Sequence, residues 1–262
     1  MRRYLRLLAL QFRISLTVGA TYRWEFLLQG GISLVWTALG LVPLYVALHD
    51  RPPIEGWGYA EALVVVGWFT ILKGVLDGAV NPSLTSVVEQ IRKGTLDFVL
   101  MKPADAQFLV STAKFEPWKV VDLLAGVAII AWAFVLLGRA PSPLATLVSA
   151  LLLGVAVAVL YSIWILAVAM AFWVVRLDNL SYLFNSLLDF GRWPVGIFRG
   201  FVRLFFTLII PIALMTTYPA EALLGRLAPS TAALGILGSA AFVILGHLVW
   251  TRALGRYTSA SS

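Results

Sequence analysis

Residues Leu144 to Val175 read LATLVSALLLGVAVAVLYSIWILAVAMAFWVV, with no charged side chain anywhere in the run. A helix needs about 20 apolar residues to cross the hydrocarbon layer, so this stretch is long enough to cross with tilt or to project from the bilayer. It decides the fold class, because a soluble core does not need an uncharged run of this length. Working outward, five more stretches pass the same test: Phe26 to Leu48, Tyr59 to Val80, Val120 to Leu137, Val202 to Tyr218 (interrupted by Pro211), and Ser230 to Trp250. The expectation is an all-α membrane protein with six transmembrane helices in a single domain over 1–262.

Composition agrees. The chain is 60% hydrophobic and 13% charged, against about 45–50% and about 25% in soluble domains. There is no Cys, which excludes disulfides and thiolate metal sites. The two His, His49 and His247, are far apart in sequence. The net charge of +7 is expected to mark basic loops on one membrane face rather than nucleic-acid binding. Residues 1–25 hold five Arg and no compact apolar core before a small-residue cleavage site, so the expectation is a retained first helix and no signal peptide.

The basic residues test the division into spans. Arg2, Arg3, Arg6, Arg13 and Arg23 precede the first span. Arg92, Lys93, Lys102, Lys114 and Lys119 lie between the second and third. Arg176, Arg192, Arg199 and Arg203 lie between the fourth and fifth, and Arg252 and Arg256 follow the sixth. Only Arg51, Arg139 and Arg226 fall on the other side. The positive-inside rule then places both termini, Gln107 and Ser259 in the cytoplasm, and Glu55 and Pro141 outside.

Two segments lie outside the spans. Residues 1–25 place Arg2, Arg6 and Arg13 on one side of a helix and Tyr4, Leu5, Leu8 and Phe12 on another, as in an interfacial helix. Residues 81–119 hold most of the soluble-type sequence. Within them Leu84, Val87, Val88 and Ile91 recur at helical spacing, and Gly94 is placed to end the helix. A short helix ending in Gly, followed by a second element from Thr95, either forms a stiff knob for a soluble partner or packs beneath its own membrane helices.

No GxxxxGK[ST], GxGxxG, HExxH or GxSxG occurs, so no P-loop ATP hydrolysis is expected from this chain. Lys73 and Asp77, four apart in the second span, share a face and form either a structural pair or a functional one. Gly74 and Gly78 make a GxxxG that serves either a dimer seam or packing within the subunit. Pro211 is either a kink or a hinge.

At 91–103 the chain reads Ile-Arg-Lys-Gly-Thr-Leu-Asp-Phe-Val-Leu-Met-Lys-Pro. With Phe172-Trp-Val-Val-Arg-Leu-Asp-Asn-Leu180 and the stretch Phe206 to Arg226, this resembles one branch of the permease subunits of bacterial ABC type-2 exporters, with the same order of segments along nearly the whole chain. The resemblance implies an ABC type-2 exporter permease fold in the bacterial inner membrane. It implies an amphipathic N-terminal helix at 1–25 and a cytoplasmic coupling helix within Leu84 to Lys102, where Val88, Ile91, Arg92, Lys93, Gly94, Thr95, Leu96 and Asp97 would meet the ATPase. The partners implied are two cytoplasmic ATPase subunits, a second permease (identical or related) and the lipid bilayer. No cofactor is implied in this chain, ATP and magnesium belonging to the ATPase. It also implies short extracytoplasmic helices breaking the fifth span, with Pro219 to Gly225 as one. The competing expectations are an ion-driven transporter or channel without an ATPase, and a membrane scaffold.

Overall fold

The computed structural model describes residues 2–172 and 180–255. The tail from Arg256, including Ser259, and Trp173 to Asn179, including the expected end of the fourth span and Arg176, lie outside the described residues. Those described are helical throughout except for turns and one isolated bridge, Ile54 to Trp57. In order, α1 is Arg2–Thr21, α2 Arg23–Leu48, α3 Tyr59–Lys93, α4 Asp97–Leu100, α5 Ala106–Ser111, α6 Pro117–Leu136 and α7 Pro143–Phe172. Then come α8 (Leu180–Leu188), α9 (Gly200–Leu208), α10 (Ala213–Leu223) and α11 (Pro229–Leu254). Five of these, α2, α3, α6, α7 and α11, are long and apolar enough to cross a membrane.

The chain alternates direction through them. One end of the bundle gathers α1, α4, α5 and the last turn of α11, and is called the terminal end here. The other, the distal end, carries the Arg51 to Gly58 turn.

The second span does not stop at Val80. It continues to Lys93 as one rod of 35 residues, about 52 Å long, so it extends about 20 Å beyond a hydrocarbon layer of about 30 Å. Gly78 and Pro82 look like a break in sequence, and the structure shows how they avoid one. A proline ring clashes with the carbonyl four residues before it and offers no N–H. For Pro82 that carbonyl is Gly78 O. The helix widens to a π-turn over Leu76–Val80, and Gly78 O instead accepts the backbone N–H of Glu116 at 2.8 Å. The lost helical bond becomes a cross-link to the start of α6.

The seam between α3 and α6 is lined by glycine. A methyl group on Gly67 would lie 2.5 Å from Ile130 Cγ1 and 2.9 Å from Gly126 O, and one on Gly126 would lie 2.6 Å from Ile71 Cγ1 and 2.7 Å from Gly67 O. Each glycine thus admits the other helix's isoleucine, and the two backbones meet. Gly74 packs against Asp122 and Leu123, and Gly78 against Lys119. The GxxxG therefore serves packing within the subunit. Where lipid solvates apolar side chains as well as protein does, such close approach is the main source of helix association.

The fifth crossing differs from the expectation of Val202 to Tyr218. Arg199 Nη2 donates to Glu55 Oε1 at 3.3 Å, while Arg226 donates to Gly56 O at 2.9 Å and Glu61 Oε1 at 2.8 Å. Both ends of the 200–225 segment therefore sit on the same distal turn, so the segment enters the bundle and returns without crossing. Its two helices bend by 71° about Pro211. The sixth traverse is made instead by chain that includes Leu180 to Arg192. This climbs along α3 from Lys73 (Lys73 Nζ to Asn185 Oδ1, 3.2 Å) past Phe69, against which Gly191 packs, to Trp57, which meets Gly196. Its polar residues Asn185, Asp189 and Arg192 hid it from an apolar-run criterion. Arg199 and Arg203 accordingly move to the distal side. Among the described residues the terminal end still holds the larger basic set, Arg2 to Arg23, Arg92 to Lys119 and Arg252, against Arg51, Arg139, Arg199, Arg203 and Arg226.

Two outcomes check this architecture. Gly126→Val should lower the thermal stability of the detergent-purified protein, by about 1–3 kcal/mol for overpacking, whereas Gly154→Val, with no atom within 4 Å of its would-be methyl, should leave it unchanged. In intact cells, Arg199→Cys in this Cys-free chain should react with an impermeant thiol reagent on the same side as Glu55→Cys and opposite to Lys102→Cys. Labelling of Arg199→Cys together with Lys102→Cys would contradict the re-entrant path.

Candidate functional site

Two constellations stand out, and α3 joins them. The first is its terminal-end tip. Gly94 ends the helix in the left-handed conformation at φ 69°. Its N–H bonds to Ile91 O at 3.2 Å, and the N–H of Thr95 reaches Gln90 O at 2.9 Å, the two bonds of a Schellman motif. Only glycine enters that conformation without strain. The chain reverses there, and Leu96 returns into the core at 0% exposure among Leu84, Val87 and Val110. Val88 and Ile91 lie partly buried against the same cluster. Leu96 is therefore packed within its own subunit, and the expectation that its side chain meets the ATPase is corrected.

What points outward is the turn that Leu96 anchors. Within α4, which begins at Asp97, Phe98 is 66% exposed, and Met101 just after it is 72% exposed, between the exposed Arg92 and Lys93 on one side and Lys102 on the other. Neither Phe98 nor Met101 stood out in the sequence, because four helical residues are too few to show which face points in.

The turn is braced from below by α1. Tyr4 packs edge-on to Phe108 with ring centroids 4.8 Å apart, its hydroxyl accepts the N–H of Asp105 at 3.2 Å, and Arg3 donates to Pro103 O. Further along, Thr112 Oγ1 donates to Gln11 Oε1 at 2.6 Å, the N–H of Phe115 to Ser15 Oγ at 3.1 Å, and Phe12 packs on Phe115. The packed face runs Tyr4, Gln11, Ser15, and the Arg2, Arg6 and Arg13 side faces away from the protein.

The second constellation lies at the π-turn. Lys73 and Asp77 face each other at 3.8 Å, and Asp77 is also held by Lys119 at 3.5 Å. Lys119 in turn sits 2.9 Å from Asp122, whose other oxygen accepts from Ser33. The expected pair is thus part of a network joining α2, α3, α6 and, through Asn185, α8. An Asp at position 122, inside an apolar span, was the available signal for the larger cluster. The ring of Trp118 lies under Lys119, 4.4 Å from its Nζ. The side chains of Lys119 and Asp122 are only 13% and 6% exposed, a burial ionised groups tolerate when paired.

Pro211 is the apex of the re-entrant segment. Ile210 is extended at φ −114° and ψ 96°, as the residue before proline tends to be, and the chain breaks there rather than kinks. The described residues contain no group of three or more His, Cys, Asp or Glu able to hold a metal ion.

The network predicts an order of damage. Lys119→Met takes the cation from Asp122 and leaves Asp77 with only the 3.8 Å approach of Lys73, and should cost about 3–5 kcal/mol, seen as lost folded protein in size-exclusion profiles. Lys73→Met leaves Asp77 with Lys119 and should cost less. Lys119→Met with Asp122→Leu should recover part of the loss. Equal damage from the Lys73 and Lys119 changes would mean that Lys119 is not the hub.

No curated protein and no solved structure matches the chain. A family model described as ABC-2 family transporter protein matches residues 34–261, which takes in the charged residues of the π-turn network, the α4 turn and the re-entrant segment. With its multi-pass helical bundle, the chain belongs to the ABC-2 family of transporters, as a membrane permease.

Proposed function

We propose that this permease is the membrane subunit of an ATP-driven exporter of the bacterial inner membrane, with both termini cytoplasmic. ATP and magnesium are handled by two separate cytoplasmic ATPase subunits, and the permease works beside a second copy or a related permease. The observation that carries this reading is the α4 turn: an apolar pair, Phe98 and Met101, exposed between basic residues on a stiff extension of a membrane helix. Exposed apolar side chains ringed by charge suit a protein partner. The basic excess at the same end supports a cytoplasmic placement.

Coupling would follow from the rod. Because α3 is continuous from Tyr59 to Lys93, force applied at α4 reaches the membrane as a rigid-body movement of α3. Within 84–102 the roles divide: Leu84, Val87 and Leu96 hold the turn, Gly94 and Thr95 shape it, and Phe98 and Met101, with Arg92, Lys93 and Asp97 nearby, meet the ATPase. Pro211 would serve as a hinge at the apex of the re-entrant segment. The Lys73–Asp77–Lys119–Asp122 network favours one alternative, an ion-driven transporter, since ionisable groups at membrane depth often mark ion pathways. Transport by vesicles lacking any ATPase would support that alternative.

Phe98→Asp and Met101→Asp should abolish ATPase stimulation and export in vesicles while insertion and thermal stability stay normal, a loss of about 2 kcal/mol or more of docking for a hot-spot position. Gly94→Pro removes the cap N–H and forbids φ 69°, and should act similarly by misdirecting the turn. Leu96→Asp should instead reduce folded yield, because it buries a charge in the core. Full export by a folded Phe98→Asp/Met101→Asp protein would overturn the assignment.

A further inference from the structure

Two cavities with charged side chains in their walls meet at Lys119. One, of about 510 Å³, is a groove at membrane depth between α2 and α3, lined by Ser33, Thr37, Thr70, Lys73, Asp189 and Arg192 as well as Lys119 and Asp122. The other, of about 670 Å³, lies at the terminal end under the elbow between α1 and α2, and reaches Gln29, Asp77 and Lys119. Lys119 lines both, and its ion pairs to Asp77 and Asp122 stand between them.

The groove is built for charge. Its walls carry Lys73, Lys119 and Arg192 against Asp122 and Asp189. Lys119 is satisfied by Asp122 at 2.9 Å, whereas Lys73 has one hydrogen bond to the neutral Asn185 Oδ1 at 3.2 Å and, for its charge, a 3.8 Å approach to an Asp77 that Lys119 already holds. Arg192 reaches Asp189 at 3.3 Å with one terminal nitrogen, but its Nε is buried with no hydrogen-bond partner among the described residues. The guanidinium stacks 5.1 Å from the centre of the Phe69 ring and lies across Gly40, where a methyl group would come within 2.8 Å of Nη1. A bare glycine backbone thus makes room for an arginine at membrane depth. Pro43 leaves the Leu39 carbonyl, one helical turn back, without its usual donor, and Leu39 also lines the groove. Along the rim, Trp36 and Leu39 present exposed apolar surface. Cations held at this depth with incomplete partners are costly unless something pairs with them.

We propose that the groove binds an amphiphile with an anionic headgroup, phosphate or carboxylate, at Lys73 and Arg192, its apolar chain running along Trp36 and Leu39. The terminal-end cavity is its point of entry, and Lys119 is the partition it displaces by offering an anion in place of Asp77. This rests on the transporter reading in taking the ligand as cargo; binding itself needs neither ATP nor an ATPase.

The chain has no Cys, so single reporters are clean. Thr37→Cys for the groove and Gln29→Cys for the entry cavity are placed in phosphatidylcholine nanodiscs, and maleimide modification is timed without nucleotide. Dodecyl phosphate should slow both reactions, about tenfold at saturation, while dodecylphosphocholine, dodecyltrimethylammonium and inorganic phosphate should not. Arg192→Gln and Lys73→Gln should each weaken the protection of Thr37→Cys. Equal protection by all the dodecyl compounds would overturn headgroup recognition, and protection by inorganic phosphate would overturn the amphiphile. Protection at Gln29→Cys alone would overturn the continuous path. The headgroup comparison uses no altered charge in the groove, so misfolding of the Arg192 or Lys73 variants does not blunt it. Loss of coupling in the α4 variants would leave these rates unchanged, so the two readings fail separately.

Discussion

The carbonyl of Gly78, pushed aside by the ring of Pro82, has to find another donor. It takes the N–H of Glu116 at 2.8 Å, and much of the structure follows from that bond. The helix must widen to a π-turn, which keeps α3 a single rod through a sequence that otherwise reads as a break. The bond also brings the start of α6 against α3, so that Lys119 reaches Asp77 and Asp122. A backbone carbonyl left without a donor is costly, so the cross-link stabilises both the rod and the charged network beside it. π-turns inside helices are frequent at functional sites, and this one separates the membrane part of α3 from the part that projects.

A second consequence concerns stiffness. The projecting part of α3 ends in a glycine cap, and beyond it Leu96 locks the reversed chain back into the core that holds Leu84 and Val87. A turn fixed at both sides transmits a push better than a loop does. The glycine seam against α6 adds to this, because backbones in direct contact leave little room for α3 to slide independently. Motion applied at α4 would therefore move α3 and α6 together, along with the Lys119 partition between the two cavities.

Much of this was legible in the residues. Apolar run length found four of the spans and the membrane part of α3, and the helical spacing of Leu84, Val87, Val88 and Ile91 with Gly94 after it located the capped tip. Three features were not legible, each for a physical reason. The sixth traverse carries Asn185, Asp189 and Arg192, whose polarity is tolerated because they face Lys73, Gly40 and Phe69 rather than lipid; a hydropathy criterion sees only their cost. The more apolar Val202 to Tyr218 stretch does not cross, because Arg199 and Arg226 tie both its ends to the same turn, a contact between residues more than a hundred positions apart. Leu96 and Phe98 are both large and apolar two positions apart, and only the chain reversal at Gly94 decides that one is core and the other surface.

The proposed coupling requires an ATP-binding polypeptide to meet this chain at the α4 turn. The most direct measurement is site-specific photo-crosslinking, with a benzophenone amino acid at Phe98 or Met101, and at Ile54 on the distal turn as the reference, followed by mass spectrometry of the adducts from native membranes. Positions 98 and 101 should yield an adduct with a P-loop ATPase, and position 54 should not. An ATPase adduct at position 54, or its absence at both 98 and 101 in a complex shown to contain the ATPase, would contradict it.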